Sequence, residues 1–190
     1  MLLTYKSFKL FIVGLLIFSN AYGQLPLYNG VPVSDAGLSN NIGSANSSRN
    51  VAVSNDGIIY VVYTGDSGIR VSKSVNRGQS FLPSVGISAF NAEPEIIVND
   101  TGIVFVSWVD SGNIMLSRSI DEGVTFSMPV SIGAGFLSVH LAVFGTHIYA
   151  TDKHGEFVHS NANNGVDPFV TTQFTMRVFA DVRTDQNGNV

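Results

Sequence analysis

The chain has 190 residues, no cysteine and a formal net charge of −4, and only 13% of its residues are charged. This mild acidity argues against nucleic acid or an anionic membrane as a partner, and without cysteine the chain is held by core packing rather than by disulfides. Abundant Gly, Ser, Asn, Val and Ile favour an all-β protein with short strands and many turns.

Residues 1–23 differ in composition from the rest of the chain. Lys6 and Lys9 precede an unbroken apolar run, and the small residues Ala21 and Gly23 follow it. This is the three-part pattern of a secretory signal peptide, which predicts cleavage after Gly23. The run is short for a bilayer span, so a membrane anchor or a buried strand is the less favoured interpretation. We expect a secreted or extracytoplasmic mature chain without a membrane span.

A repeat follows. The turn Ser-Val-Asn-Arg-Gly-Gln-Ser-Phe at 74–81 returns 45 positions later as Ser-Ile-Asp-Glu-Gly-Val-Thr-Phe at 119–126. The same shift aligns the apolar residues of the flanking segments and places Tyr63 on Trp108. Such a register indicates a repeat protein. Because Tyr63 and Trp108 match each other, we expect them in the core rather than on a sugar-stacking surface.

Each copy is predicted to form four short antiparallel strands joined by Asx-Gly turns. In the second copy the strands are expected at 95–98, 103–109, 114–119 and 125–132. Four strands per 45-residue unit are typical of a β-propeller blade. The predicted blades are 51–90, 91–135 and a degraded copy at 136–175, and 176–190 begins a fourth.

The segment 24–50 precedes the first predicted blade. Val31–Val33 in this segment resembles an outer strand, and we expect it to close the ring by pairing with the last blade, followed by a linker. About three blades are fewer than a closed propeller needs. The chain 24–190 is therefore predicted to be the N-terminal part of a longer propeller, with the remaining blades as its partner.

The turn at 119–126 can be explained by turn chemistry alone. Asp121 can accept hydrogen bonds from backbone N–H groups, and Gly123 can take a positive φ without a Cβ penalty. Ser119 and Thr125 can bond each other or the turn backbone. Phe126 can pack on the layer beneath, so every residue has a structural role.

The pattern Ser-x-Asp-x-Gly-x-Thr-Phe at 119–126 resembles the Asp-box, or BNR repeat, of sialidases and related propellers. The turn at 74–81 resembles it with Asn76 in the aspartate position. The resemblance implies a sialidase-like propeller, six-bladed when complete, with these turns on the rim away from any active site. The positions that it assigns to the structural motif are Ser74, Asn76, Gly78, Ser80, Phe81, Ser119, Asp121, Gly123, Thr125 and Phe126.

The resemblance does not imply sialidase activity, because one fold hosts many functions. Sialidases bind the substrate carboxylate with arginines, of which the first stands in an Arg-Ile-Pro motif before an inner strand. The corresponding positions here are Ala92–Pro94 and Ser47–Arg49, so no catalytic residue is assigned. Glu93 and Glu95 could form an acid–base pair, but nothing in the sequence positions a substrate beside them.

No metal or cofactor is predicted. Four histidines lack metal-ligand spacing and are expected on strands, at the surface or half buried: His140, His147, His154 and His159. A ligand site would lie at the ends of the inner strands opposite the 119–126 turn. The candidates there are the loops at Asp66, Asp110, Asp152 and His154, and the connections near Arg49 and Glu93.

These observations favour a secreted, non-catalytic propeller that binds an extracellular glycan or protein or acts as a scaffold. One alternative is a fragment of an exo-α-sialidase or another glycoside hydrolase, with catalytic residues mostly outside this chain. A second is an assembly or sorting-type propeller that binds peptides.

Overall fold

The computed structural model describes residues 30–35, 40–41, 49–136, 138–152, 157–166, 168–173, 182–187 and 189. All of them except Gly30 belong to one compact unit, Val31–Val190. The predicted signal peptide lies outside the described residues. Within them, no helix has the length and apolar character needed to cross a membrane.

The described residues form thirteen strands. These are β1 (Asn40–Asn41), β2 (Val51–Val53), β3 (Ile59–Gly65), β4 (Gly68–Ser74), β5 (Val85–Ser88), β6 (Glu95–Val98), β7 (Val104–Asp110), β8 (Asn113–Ser119), β9 (Val130–Ala134), β10 (Val139–Phe144), β11 (His147–Asp152), β12 (Phe157–Asn161) and β13 (Val170–Gln173).

The strands form three antiparallel sheets in chain order. Blade I contains β2–β5, blade II contains β6–β9 and blade III contains β10–β13. The two-residue strand β1 pairs with the end of β3, on the edge that β2 also uses. The predicted all-β architecture of four-stranded antiparallel blades is confirmed.

The 45-residue register is visible in the strands themselves. Shifting β3 and β4 by 45 positions gives the bounds of β7 and β8. The outer strands of blades I and II also carry the same irregularity, a register shift opposite Ile69 in blade I and opposite Ile114 in blade II. The repeat therefore includes both the bounds of the strands and the position of a β-bulge. A bulge of this kind increases the local twist of the sheet.

Apolar cores lie between successive blades. Tyr60 and Val71 of blade I pack in one cluster with Ile96 and Trp108 of blade II. A second cluster joins Phe105 and other residues of blade II to blade III. Trp108 is 1% exposed and Tyr63 is 3% exposed, so their predicted place in the core is confirmed. Sheets packed face to face around inner strands form a β-propeller.

The outer strands differ from prediction at their starts. In blade II the strand begins at Val130, five residues after the predicted Thr125. The intervening segment is held to β8 by isolated bonds, since Ser127 N donates to the Arg118 carbonyl (2.8 Å) and Ser127 Oγ accepts from Arg118 N (3.1 Å). Pro129 lacks the N–H that a regular ladder requires.

The predicted closing strand also has no ladder here. Val31–Val33 pairs with no described strand, and its role in closing a ring stays a prediction. The segment is instead attached through Asp35, which accepts hydrogen bonds from Ser84 N (3.1 Å) and from Ser84 Oγ. These bonds lower the pKa of Asp35, and Arg70 lies 3.5 Å from its carboxylate.

The turn between the third and fourth strands, here called the third turn, is built alike in blades I and II. In blade II, Ser119 Oγ accepts from Gly123 N (2.7 Å) and donates to Asp121 (2.7 Å). Asp121 in turn accepts from the N–H of Thr125 (2.9 Å) and from its hydroxyl (2.6 Å). These bonds replace the ladder bonds that a turn gives up.

The equivalent turns tolerate other side chains. In blade I, Asn76 Oδ1 accepts from Ser80 N at 2.9 Å, as the aspartate does in blade II. In blade III, Asn161 Oδ1 takes the place of the serine hydroxyl and accepts from Asn163 N (2.8 Å) and Gly165 N (2.9 Å). An acceptor oxygen is therefore what the turn requires, and a carboxylate is not essential.

Candidate functional site

Antiparallel strands place the turns of a blade at two opposite ends. The first and third turns share one end, here called the lower end. The second turns and the connections between blades share the other, the upper end. Asn55 Nδ2 donates to Asp100 O (3.2 Å) between first turns, and Thr64 Oγ1 donates to Ala92 O (2.5 Å) at the upper end. Asp66, Asp110, Asp152 and the connections near Arg49 and Glu93 belong to the upper end, whereas His154 is not among the described residues.

Glu95 is the polar centre of the upper end. It begins β6 and its side chain is 1% exposed. Its Oε1 accepts a hydrogen bond from Leu141 N (3.0 Å) in the next inner strand. Two cationic or titratable groups flank it, with Arg49 Nη1 4.0 Å from Oε1 and His140 Nδ1 3.4 Å from Oε2. The histidine contact is not a hydrogen bond, because Glu95 Oε2 is buried and accepts none from the described residues.

The carboxylate of Glu95 replaces a backbone acceptor of the repeat. Between blades I and II, Ile96 N donates to the Arg49 carbonyl at 2.9 Å. The 45-residue shift maps this pair onto Leu141 N and the Pro94 carbonyl, yet Leu141 N bonds to Glu95 Oε1. Glu95 therefore joins two inner strands, which is a structural use of a buried carboxylate.

The predicted loop residues take different positions. Asp66 is exposed in the second turn of blade I, and Asp110 Oδ1 accepts from Ser111 Oγ (2.8 Å). Asp152 is 1% exposed and accepts from Phe136 N at 3.3 Å. Glu93 is half-buried. His154 lies outside the described residues. The structure brings Arg49 to Glu95, whereas Asp66 remains at the periphery.

Two aromatic side chains of the upper end were missed from sequence. Phe90 and Phe136 lie in successive inter-blade connections and are 45% and 59% exposed. The sequence could have indicated them, because each repeat has an aromatic residue at nearly the same position, outside the predicted strands. Exposed aromatic rings of this kind are typical of interaction surfaces rather than of turns.

His159 is buried between blades II and III. Its ring nitrogens lie 2.9 Å from Thr171 Oγ1 and 3.1 Å from Ala134 O. Burial lowers the pKa of His159, so the neutral form is favoured. A Cβ at Gly133 would overlap the ring, which explains a glycine inside β9. Among the described residues no group of three His, Cys, Asp or Glu is placed to bind a metal ion.

Comparison with known proteins gives similarity of fold only. No protein-family model and no curated protein matches the sequence. A structure of the Mitotic Checkpoint Complex contains a similar chain, with a TM-score of 0.51 and 11% identity over 99% of this chain and 53% of that one. At such low identity the likeness concerns the fold alone.

Two weaker similarities are to proteins of bacteria. A mutant of the NanB sialidase from Streptococcus pneumoniae has a TM-score of 0.48 at 16% identity, over 62% of this chain and 21% of that chain. A Bacteroides ovatus protein described as Xyloglucan PUL GH43B has a TM-score of 0.49 at 15% identity, over 74% and 36%. The chain thus spans about a fifth to about a third of these two proteins, and the similarity is too weak to support an inference about function.

Proposed function

We propose that this chain is part of a secreted, sialidase-like propeller with a non-catalytic binding role, and that its ligand contacts the upper end. The observation that carries the proposal is the use of Glu95 and Asp152. Each buried carboxylate accepts a backbone N–H from a neighbouring segment, Leu141 at 3.0 Å and Phe136 at 3.3 Å. Carboxylates occupied in this way support the scaffold rather than proton transfer to a substrate.

We propose a polypeptide rather than a glycan as the ligand. The upper end offers Arg49, whose side chain is 40% exposed, together with the exposed rings of Phe90 and Phe136. Arginine and aromatic residues are enriched at protein interfaces and dominate their binding energy. The larger rings suited to stacking on sugars, Tyr63 and Trp108, are buried in the core.

Export of the chain is the other part of the proposal. It is supported by the charged, apolar and small-residue pattern that ends at Gly23. Expression of the full chain in a bacterial host followed by N-terminal sequencing of the exported product tests it. A product that begins at Gln24 is expected, and a product retained in the cytosol with its first 23 residues would contradict export.

The binding role is tested with a displayed peptide library selected on the folded, immobilised chain. We expect enriched peptides whose binding is lost in Arg49→Ala and Phe90→Ser. The matched control is Val75→Ser, which removes an apolar side chain, 61% exposed, at the lower end. Enrichment of no peptide, or equal loss in the control, would overturn the proposal. If the chain bound arrayed glycans instead, and Arg49→Ala and Phe90→Ser lost that binding while Val75→Ser kept it, the ligand would be a glycan and not a polypeptide.

The runner-up is a fragment of an exo-α-sialidase or another glycoside hydrolase, favoured by the Asp-box resemblance alone. Release of a fluorophore from a sialoside by the full chain would support it. Loss of that release in Glu95→Gln, with the folded fraction unchanged by circular dichroism, would show that the buried carboxylate takes part in the reaction and would contradict the non-catalytic role.

A further inference from the structure

His159 and Thr171 are cross-strand partners on the third and fourth strands of blade III. His159 is 1% exposed, whereas Thr171 is exposed, as are all four residues of β13. The Nδ1 atom of His159 lies 2.9 Å from Thr171 Oγ1. Neither residue belongs to the peptide-binding surface of Arg49, Phe90 and Phe136 proposed above.

The hydrogen bonds of His159 determine which ring nitrogen carries the proton. Its Nε2 lies 3.1 Å from the Ala134 carbonyl, and a carbonyl oxygen can only accept a hydrogen bond. In the neutral ring Nε2 is therefore the N–H donor, and Nδ1 has the lone pair that accepts from the Thr171 hydroxyl. Burial lowers the pKa of His159, which favours this neutral form.

The fold of a blade does not require a histidine at this position. The strand pairing and the third turns align His159 with Ser117 of blade II and Ser72 of blade I. The hydroxyl of Ser117 donates to the Ser127 carbonyl of its own blade at 2.7 Å. Blade III thus places an imidazole where the other two blades have a small hydroxyl side chain.

The neighbouring blade makes room for the imidazole. Gly133 of β9 stands 45 positions after Ser88 of β5, so the repeat itself accepts a side chain there. A Cβ at Gly133 would overlap the Cε1 and Nδ1 atoms of His159. The ring of His159 therefore fits against blade II because position 133 lacks a side chain.

This arrangement has the geometry of an activated nucleophile. Such a nucleophile lies within hydrogen-bond reach of a base, and the base is oriented by a third group. Thr171 supplies the hydroxyl, His159 the base and Ala134 the orienting carbonyl. The negative charge of Asp152 favours the protonated ring, so it would stabilise the imidazolium that forms when the threonine proton is transferred.

We propose that Thr171 is a site of covalent acylation by activated esters, with His159 as the general base. The Thr171 oxygen forms a bond to the carbonyl carbon of the ester, and its proton moves to His159 Nδ1. The alkoxide or phenoxide of the ester leaves with the electron pair of the broken C–O bond, and the imidazolium then gives its proton to water. The product is an ester of Thr171, with one acyl group per chain.

The test is incubation of the full chain with p-nitrophenyl acetate at neutral pH, followed by mass spectrometry of its peptides. We expect acetylation at Thr171 to be about a hundredfold faster than at Thr172, because general-base catalysis contributes about 10²- to 10⁴-fold. Thr172 is the internal control, since it is an exposed threonine of the same strand. Equal rates at the two threonines, or acetylation of amino groups alone, would overturn the proposal.

Variants assign the effect to the base. In His159→Gln the rate at position 171 should fall about a hundredfold, to that of Thr172, whereas Thr171→Ser keeps the hydroxyl and should still be acetylated. His147→Gln removes an exposed histidine and should leave the rate at Thr171 unchanged.

Folding of each variant is checked by its urea midpoint. An unchanged rate at Thr171 in folded His159→Gln would refute the role of the histidine. Should His159→Gln fail to fold, the ratio of the rates at Thr171 and Thr172 in the wild type decides the outcome by itself.

Discussion

Lys73 of blade I donates a hydrogen bond from Nζ to the backbone carbonyl of Glu122 in blade II, at 2.7 Å. The pair recurs one blade later, where Arg118 Nη1 donates to the carbonyl of Asn164 at 3.0 Å. Both acceptor residues have positive φ, +58° and +50°, and each precedes the glycine of a third turn. A cation of one blade therefore holds the third turn of the blade that follows.

Arg118→Met should lower the free energy of unfolding by about 1 to 2 kcal/mol, because a charge-assisted bond to a half-buried carbonyl is lost. Lys73→Met should cost less than about 1 kcal/mol, since that contact is exposed. Urea denaturation measures both changes. Arg77→Met, at an exposed third-turn position, is the control, and a loss in the control as large as in Arg118→Met would contradict the contact's role.

Gly123→Ala should destabilise more than Gly102→Ala. Both glycines have positive φ, +75° and +83°, so each substitution should cost about 1 kcal/mol in backbone strain. A Cβ at position 123 would also lie 3.1 Å from Tyr60 Cε1, whereas a Cβ at position 102 meets nothing within 4 Å. Equal shifts in the urea midpoint would show that the turn does not pack tightly on Tyr60.

Asp121 should make the protein sensitive to acid. Hydrogen bonds from the Thr125 hydroxyl and N–H and from Ser119 hold the pKa of Asp121 well below its usual range. A lowered pKa in the folded state stabilises the fold above the ordinary value of 3.8, and this contribution is lost as pH falls towards the folded-state value. The melting temperature of Asp121→Asn should therefore fall less than that of the wild type between about pH 5 and about pH 2.

The reciprocal substitution is the control for this effect. Asn76→Asp introduces a carboxylate into the matching turn of blade I, where Ser74 Oγ and Ser80 N already contact the Asn76 oxygen at 2.9 Å each. It should steepen the acid-induced loss of stability. A change in the same direction for both substitutions would argue against the turns as the source.

His159 should contribute a second pH dependence at higher pH. Because burial lowers its pKa, the unfolded chain takes up a proton first as pH falls below 6.5, and stability is lost as pH approaches the folded-state pKa. Thermal melts of His159→Gln should show a smaller loss over this range than wild type. His147→Gln, at an exposed residue, is the control variant.

The blades could be predicted from sequence because their determinants are local. Alternating apolar residues, Asx-Gly turns and the 45-residue shift together specify strands such as β6 and β8 to within a residue. The predicted start of β9 was wrong. The residues before Val130 are joined to β8 only by the isolated bonds between Ser127 and Arg118, and not by a regular ladder. Sequence spacing does not reveal such isolated bonds.

The polar site depended on contacts between blades, which a single repeat does not encode. The sequence offered Glu95 only as a possible acid–base partner of Glu93, but its buried carboxylate accepts a hydrogen bond from Leu141 N of the next blade. The alignment of repeats places equivalent residues on each other, but it does not show which residues of neighbouring blades are in contact.

The contact between Lys73 and Glu122 gives the stack of blades a direction. Each junction is heterologous, because one blade contributes a cation and an aromatic ring and the following blade contributes a turn. The third turn of blade I at 74–81 is the equivalent of the turns that Lys73 and Arg118 contact, and Tyr149 of blade III stands at the place of Tyr60 and Phe105. Such faces can pack against each other in a head-to-tail arrangement, whereas two identical faces cannot form this contact. A twofold dimer would bring identical faces together and could not reproduce this junction, whereas addition of blades in one rotational sense could.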